Sequence, residues 1–251
     1  SEVSSRTLKT TFEFEKDKRI PRDNFQHCLI NAAHQFLNKQ GDESYILAGY
    51  PWFKCRARDM FISLPGLTLA INEVEKFEML METACKAVRA FINDEPTDLK
   101  IYEIEHPDIL LWAVWCIQQY AKMVSREKCR EKYGEILEEI MEFLRHENHP
   151  NLFIHSNGLL YTNGHDKAVT WMNSTANGRP VIPRTGYVVE INALWYNALR
   201  FVADLLGEKE STMLTEALNK QAEQTGASFV NVFLNEHGYL LDYVDGIMMD
   251  W

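Results

Sequence analysis

With 251 residues, 46% of them hydrophobic and 25% charged, the chain is long and apolar enough to bury one substantial core, which excludes a disordered protein. The formal net charge is −10 with both signs interspersed, so no basic face forms for nucleic acid or an anionic membrane, whereas a neutral polyol is indifferent to this charge. No run approaches roughly 18 apolar residues and the N-terminus is polar, so neither a membrane span nor a signal peptide is expected.

Five cysteines are present and none lies in a CxxC pair, which points to a reducing, cytoplasmic compartment. Cys28, Cys85, Cys116 and Cys129 sit in apolar helical patterns and are expected as buried free thiols. The start at Ser1 without Met and the end at Asp250-Trp251 read as an excised piece.

The predicted elements follow one another as helices. Phe25, Cys28, Leu29, Ala32, Ala33, Phe36 and Leu37 recur at helical spacing and predict a first amphipathic helix. A second starts near Asp59, which can cap it, and runs through Met60, Phe61, Leu64 and Leu67 to Ala70, kinked by Pro65-Gly66. A third, more charged, covers about Val74 to Ile92. The fourth opens with Pro107 in its first turn and carries the apolar run from Ile109 to Trp115. The fifth spans about Glu127 to Arg145 and is rich in Glu and Lys. Residues 146–188 are rich in Gly and Pro and read as loops, apart from short hairpins near Ile154 to Tyr161. The sixth helix begins near Glu190, and a more polar seventh covers about Glu210 to Leu234.

These helices alternate in character. The second, fourth and sixth are apolar nearly all round, as buried rods are, and the others are amphipathic. That is the pattern of an all-α toroid, an α/α barrel, with an inner helix followed each time by an outer one. Polar residues recur at the start of each inner helix: Arg58-Asp59, His106 with Asp108, and Glu190 with Asn192. Inner helices of such a toroid start at one end, so three clusters are expected to meet in one cleft. Beside the first lies Ala48-Gly49-Tyr50-Pro51-Trp52-Phe53, whose rings offer flat apolar faces for sugar rings, while an adjacent Arg and Asp offer donors and acceptors for vicinal hydroxyls.

Two long stretches carry a resemblance. Gly49 to Phe53, Arg58-Asp59 with Phe61 to Leu67, and Thr170-Trp171-Met172 form the first; Pro183-Arg184 with Val189 to Tyr196 forms the second. They resemble the signature of glycogen debranching enzymes, in their C-terminal amylo-α-1,6-glucosidase domain, and the likeness covers nearly the whole chain. It implies an (α/α)6 barrel of glucoamylase type, of which this single domain (1–251) supplies about seven of twelve helices. It also implies an inverting glycoside hydrolase that releases α-1,6-linked glucose from glycogen or limit dextrin without metal or cofactor. In such a reaction one carboxylic acid protonates the leaving oxygen and one carboxylate activates water, about 6.5–9.5 Å away. By the same resemblance Trp52, Arg58, Asp59, Asp108, Trp171, Arg184 and Glu190 belong to the substrate site.

Two departures stand out. Where the resemblance implies a catalytic Asp after Trp-Met, this chain has Asn173, and an amide cannot donate a proton at a useful pKa. Lys54-Cys55-Arg56-Ala57 replaces a Gly- and Trp-containing spacer. Asp166 is a weak surrogate acid, and the resemblance places the base beyond Trp251. The alternative is a degenerate barrel that binds glycogen or malto-oligosaccharide without cleaving it; a helical protein–protein scaffold is a third reading. His146, His149 and His155 lack a zinc-like spacing and read as a solvated loop, and Ile247 with Met248-Met249 as core. With seven of twelve helices the piece is expected to leave apolar surface that drives it to a homo-oligomer, a rearrangement or a longer polypeptide.

Overall fold

A computed structural model describes residues 9, 10, 12, 13, 16, 19–50, 52–208 and 210–245. Among them are seven α-helices, one short 3-10 turn and several small sheets, so the chain is mainly helical. Ile247 and the Met248-Met249 pair lie outside the described residues.

Helix α1, Phe25–Phe36, is capped by Asn24, whose side chain accepts the His27 backbone N–H at 2.8 Å. It ends one residue earlier than expected, because Leu37 belongs to strand β1, Leu37–Gln40, which pairs antiparallel with β2, Glu43–Ile46. Gly41 turns this hairpin at φ 63°, a conformation open to glycine. Cys28 lies on the solvent side of α1, so the expected burial of all four helical cysteines fails there; Cys116 and Cys129 are buried and Cys85 is half-buried.

Strand β3, Cys55–Arg56, runs straight into helix α2, Ala57–Leu67, and pairs parallel with β4, Ile101–Tyr102, which precedes helix α4, Ile109–Met123. The start of α2 is set by this pairing, which keeps Arg56 extended until the helix begins. Asp59 is therefore in the first turn, and the expected cap is corrected: Arg56 holds the cap position without a side-chain bond. The helix also stops at Leu67 instead of reaching Ala70. Thr68 Oγ1 donates to the Leu64 carbonyl at 2.6 Å, and Leu69–Ile71 tightens into the 3-10 turn. Pro107 likewise falls outside α4, because Asp108 is at its cap position.

Helix α3, Val74–Ile92, lies between α2 and α4 in the chain, and α5, Arg126–Arg145, follows α4 with Ser125 as its cap. Helix α6 is Val189–Gly207, and α7, Met213–Phe233, opens on a Thr212–Thr215 capping box. Helices α2, α4 and α6 pack side by side, and α3, α5 and α7 each pack against the helix before them. Burial follows the same division: nine of the 15 residues of α4 are buried against five of the 21 of α7. The core therefore runs along α2, α4 and α6, with Phe61, Leu64, Leu110, Val114, Trp195 and Leu199 fully enclosed.

Residues 146–188 are less irregular than expected. Strands β5 (Phe153–Ile154), β6 (Leu160–Thr162), β9 (Gly186–Val188) and β10 (Tyr243–Val244) form a sheet in the order β10-β9-β6-β5, all antiparallel. The β5–β6 pair is the hairpin expected near Ile154 to Tyr161. A second small hairpin joins β7, Thr175–Ala176, to β8, Arg179–Pro180. Tyr187 of β9 and Leu159, just before β6, close over Phe233 of α7 in a separate small core. His149 is buried here, edge-on to Phe91 and Phe143, so its reading as a solvated loop residue is corrected.

Candidate functional site

The parallel pairing of β3 with β4 puts the starts of α2 and α4 at one end, and the side chains there meet. Arg58, 5% exposed, donates through Nε to Asp108 Oδ2 at 2.7 Å and through Nη2 to Asp108 Oδ1 at 2.8 Å. Asp108 is 1% exposed and also accepts the Trp112 indole N–H at 3.1 Å. Its carboxylate is thus fully engaged by protein groups, in the bidentate geometry that arginine favours. A third partner, His106 Nδ1, lies 3.0 Å from Arg58 Nη2. Among the described residues Nη1 of Arg58 makes no hydrogen bond, and neither does the Asp59 carboxylate.

Those two open groups border a cavity of about 330 Å3 lined by Phe36, Ile46, Leu47, Ala48, Arg58, Asp59, Ile62, Ser63, Leu67 and Trp171. The volume is at the small end of the roughly 300–1,000 Å3 range of small-molecule clefts. Trp171 presents a ring that is 64% exposed, beside a donor on Arg58 and an acceptor on Asp59. Larger clefts exist elsewhere, of about 640 Å3 between α3 and α5 and about 700 Å3 beside α1. In the first, Lys132 pairs with Glu78 at 2.5 Å and Arg89 with Glu139 at 2.9 Å, and in the second Lys76 is held by Glu73 at 2.7 Å. In the smaller cavity a donor on Arg58 and an acceptor on Asp59 stand together beside an exposed indole ring.

A second polar cluster lies at the start of α6. Arg184, buried, donates through Nη2 to Glu190 Oε2 at 2.6 Å and to Asp242 Oδ1 at 2.8 Å, and through Nη1 to Thr170 Oγ1 at 3.0 Å. Thr170 is next to Trp171, so this cluster anchors the loop whose ring lines the cavity. Gly164 allows it: a Cβ there would drive into the Arg184 backbone. Asn192, also buried, serves structure, with its side chain exchanging hydrogen bonds with the Leu160 backbone N–H and carbonyl at 2.7 and 3.0 Å.

The expected site residues thus divide. Arg58, Asp59 and Trp171 share one cavity; Asp108 is held behind Arg58, and Arg184 with Glu190 is held behind Trp171. Trp52 is 76% exposed, beside Phe53, and is not part of the cavity lining. Asn173 is exposed, with its backbone N–H donating to the Trp171 carbonyl at 2.9 Å, and Asp166 is exposed in the loop before it. Neither has a side-chain contact with the cavity among the described residues. Sequence reasoning missed Asp242, which no local pattern marks because it meets Arg184 only across 58 positions. Among the described residues no cluster of His, Cys, Asp and Glu could hold a metal ion, and no helix is long and apolar enough to cross a membrane.

The family model described as amylo-alpha-1,6-glucosidase matches residues 31–249, most of the chain, and the chain belongs to that family. The family is one of glycoside hydrolases in glycogen debranching. No curated protein gives a significant match.

Proposed function

We propose, from membership of the amylo-alpha-1,6-glucosidase family and the cavity at the start of α2, that the chain binds the α-1,6-linked glucose of a glycogen or limit-dextrin branch for inverting hydrolysis. The observation that carries this is the joint lining of one cavity by Arg58, Asp59 and Trp171. The two N–H of Arg58 Nη1 would donate to sugar hydroxyls, the Asp59 carboxylate would accept from them, and the indole face would stack on the ring. Asp108 would act through Arg58, holding its plane, and Arg184 with Glu190 would hold the Trp171 loop. The helices are read as part of an (α/α)6 barrel forming one domain, with α2, α4 and α6 as inner members, in a cytoplasmic protein that self-associates.

Asn173 favours a second reading, a barrel that binds the branch without cleaving it. An amide has no proton to give a leaving oxygen at neutral pH, and Asp166, its surrogate, has no contact that draws it toward the cavity. The two readings separate when isomaltose and limit dextrin are offered to the full-length protein and to its Asn173→Asp variant, with glucose release and binding measured together. Glucose release supports hydrolysis. Binding without release in both proteins supports the second reading, and absence of binding removes the sugar site and favours a helical scaffold.

A further inference from the structure

His106 stands in the turn between β4 and α4, with Nδ1 3.0 Å from Arg58 Nη2. A guanidinium can only donate, so Nδ1 accepts and the ring is neutral with its proton on Nε2. The guanidinium is therefore gripped on two sides. Nε and one N–H of Nη2 go to Asp108, and the other N–H of Nη2 goes to His106. What remains of Arg58 is Nη1, next to the cavity.

We propose that His106 is a positioning residue for sugar binding: its neutral imidazole fixes the Nη2 corner of Arg58, keeping the Nη1 donors available to the cavity, and protonation of the ring releases that corner. The inference rests on the sugar-site reading above and adds to it a proton-linked control.

Several observations support it. An imidazolium would turn an acceptor into a donor and set a positive ring against a positive guanidinium. The charged groups facing His106 are Arg58 from α2, Asp108 at the start of α4, and Glu103 and Glu105 from its own turn; His149 faces it from the segment after α5. Glu103 is shared with Arg56, 3.7 Å away. Burial, and then the Arg58 charge, hold the His106 imidazole below its ordinary value against the pull of the three carboxylates. His149 backs the turn without adding charge, because burial pushes its own protonation down to about 4. Its Nδ1 accepts the Asn151 backbone N–H at 3.1 Å.

The sign follows. Binding needs the neutral ring, so affinity holds at neutral pH and falls as pH drops through the lowered imidazole value. The test is calorimetric titration with isomaltose between about pH 8 and pH 5, the ordinary imidazole value being about 6.5. His106→Asn keeps an acceptor near the Nδ1 position and cannot titrate; it is expected to bind as the parent does at neutral pH and to lose the acid-side fall. His106→Leu removes the acceptor and is expected to bind about tenfold more weakly at neutral pH, the scale of a hydrogen bond to a charged group. If His106→Leu does not fold, His106→Asn alone decides. An acid-side fall unchanged in His106→Asn overturns the role of His106 and leaves the sugar site standing. Failure of the parent chain to bind isomaltose at any pH removes the sugar site and this role together.

Discussion

The two arginine clusters differ in how they meet solvent, and the difference separates recognition from support. Arg58 and Asp108 are both sealed, joined by two charge-assisted bonds, with a third partner at His106 and one amino group left open to a cavity. Arg184 is sealed too, but its acceptors are graded: Thr170 is buried, Glu190 half-buried, and Asp242 58% exposed. The first cluster is a rigid donor facing a hole. The second is a tether between a loop and the start of a helix. A buried arginine alone does not mark a ligand site; the unspent donor beside open space does.

The comparison breaks first at Asp108. Asp108→Ala leaves a guanidinium buried with only an imidazole partner, and removal of one member of a buried pair costs about 3–5 kcal/mol. Urea unfolding of that variant should show the largest loss of any single change at either cluster. A loss below about 1 kcal/mol would mean that water already reaches Arg58 and that the sealed character of the first cluster is wrong. Next comes Glu190→Gln. Arg184 keeps Asp242 and Thr170, and one amide oxygen can still accept, so a loss of about 1–2 kcal/mol is expected, in line with a single hydrogen bond to a charged group. If this variant loses as much as Asp108→Ala, the tether is as essential to the fold as the sealed pair. The smallest effect belongs to Asp242→Ala. Solvent screening at that exposed carboxylate limits the loss to about 1 kcal/mol or less, and isomaltose affinity should be unchanged. A change in affinity there would draw the second cluster into recognition.

Much of the candidate site was legible because it is local. Arg58-Asp59 beside aromatic residues, and polar residues recurring at the starts of three apolar helices, are patterns that helical spacing and composition expose. The meeting of Arg58 with Asp108 was implied by that recurrence. The partners themselves were not legible: that Asp108 is engaged by Arg58 depends on packing between helix starts 50 positions apart, although the Trp112 indole that also donates to it lies one turn on in the same helix. His149 was misread because nothing in its neighbours along the chain shows that Phe91 and Phe143 enclose it. The same holds for the boundaries. Asp59 looks like a cap in isolation, and only the pairing of β3 with the distant β4 moves the helix start back to Ala57.

The amino-acid sequence by itself determined the helical content, the alternation of buried and amphipathic helices and the residue types at the helix starts, since these follow from apolar periodicity and backbone preference within one turn. Tertiary structure alone decided which charges are spent on each other and which stay open. That choice is made when two distant segments lose their water together: Arg58 finds Asp108 and His106, Arg184 finds Glu190, Asp242 and Thr170, and of the two arginines it is Arg58 that lines the cavity with a donor still open.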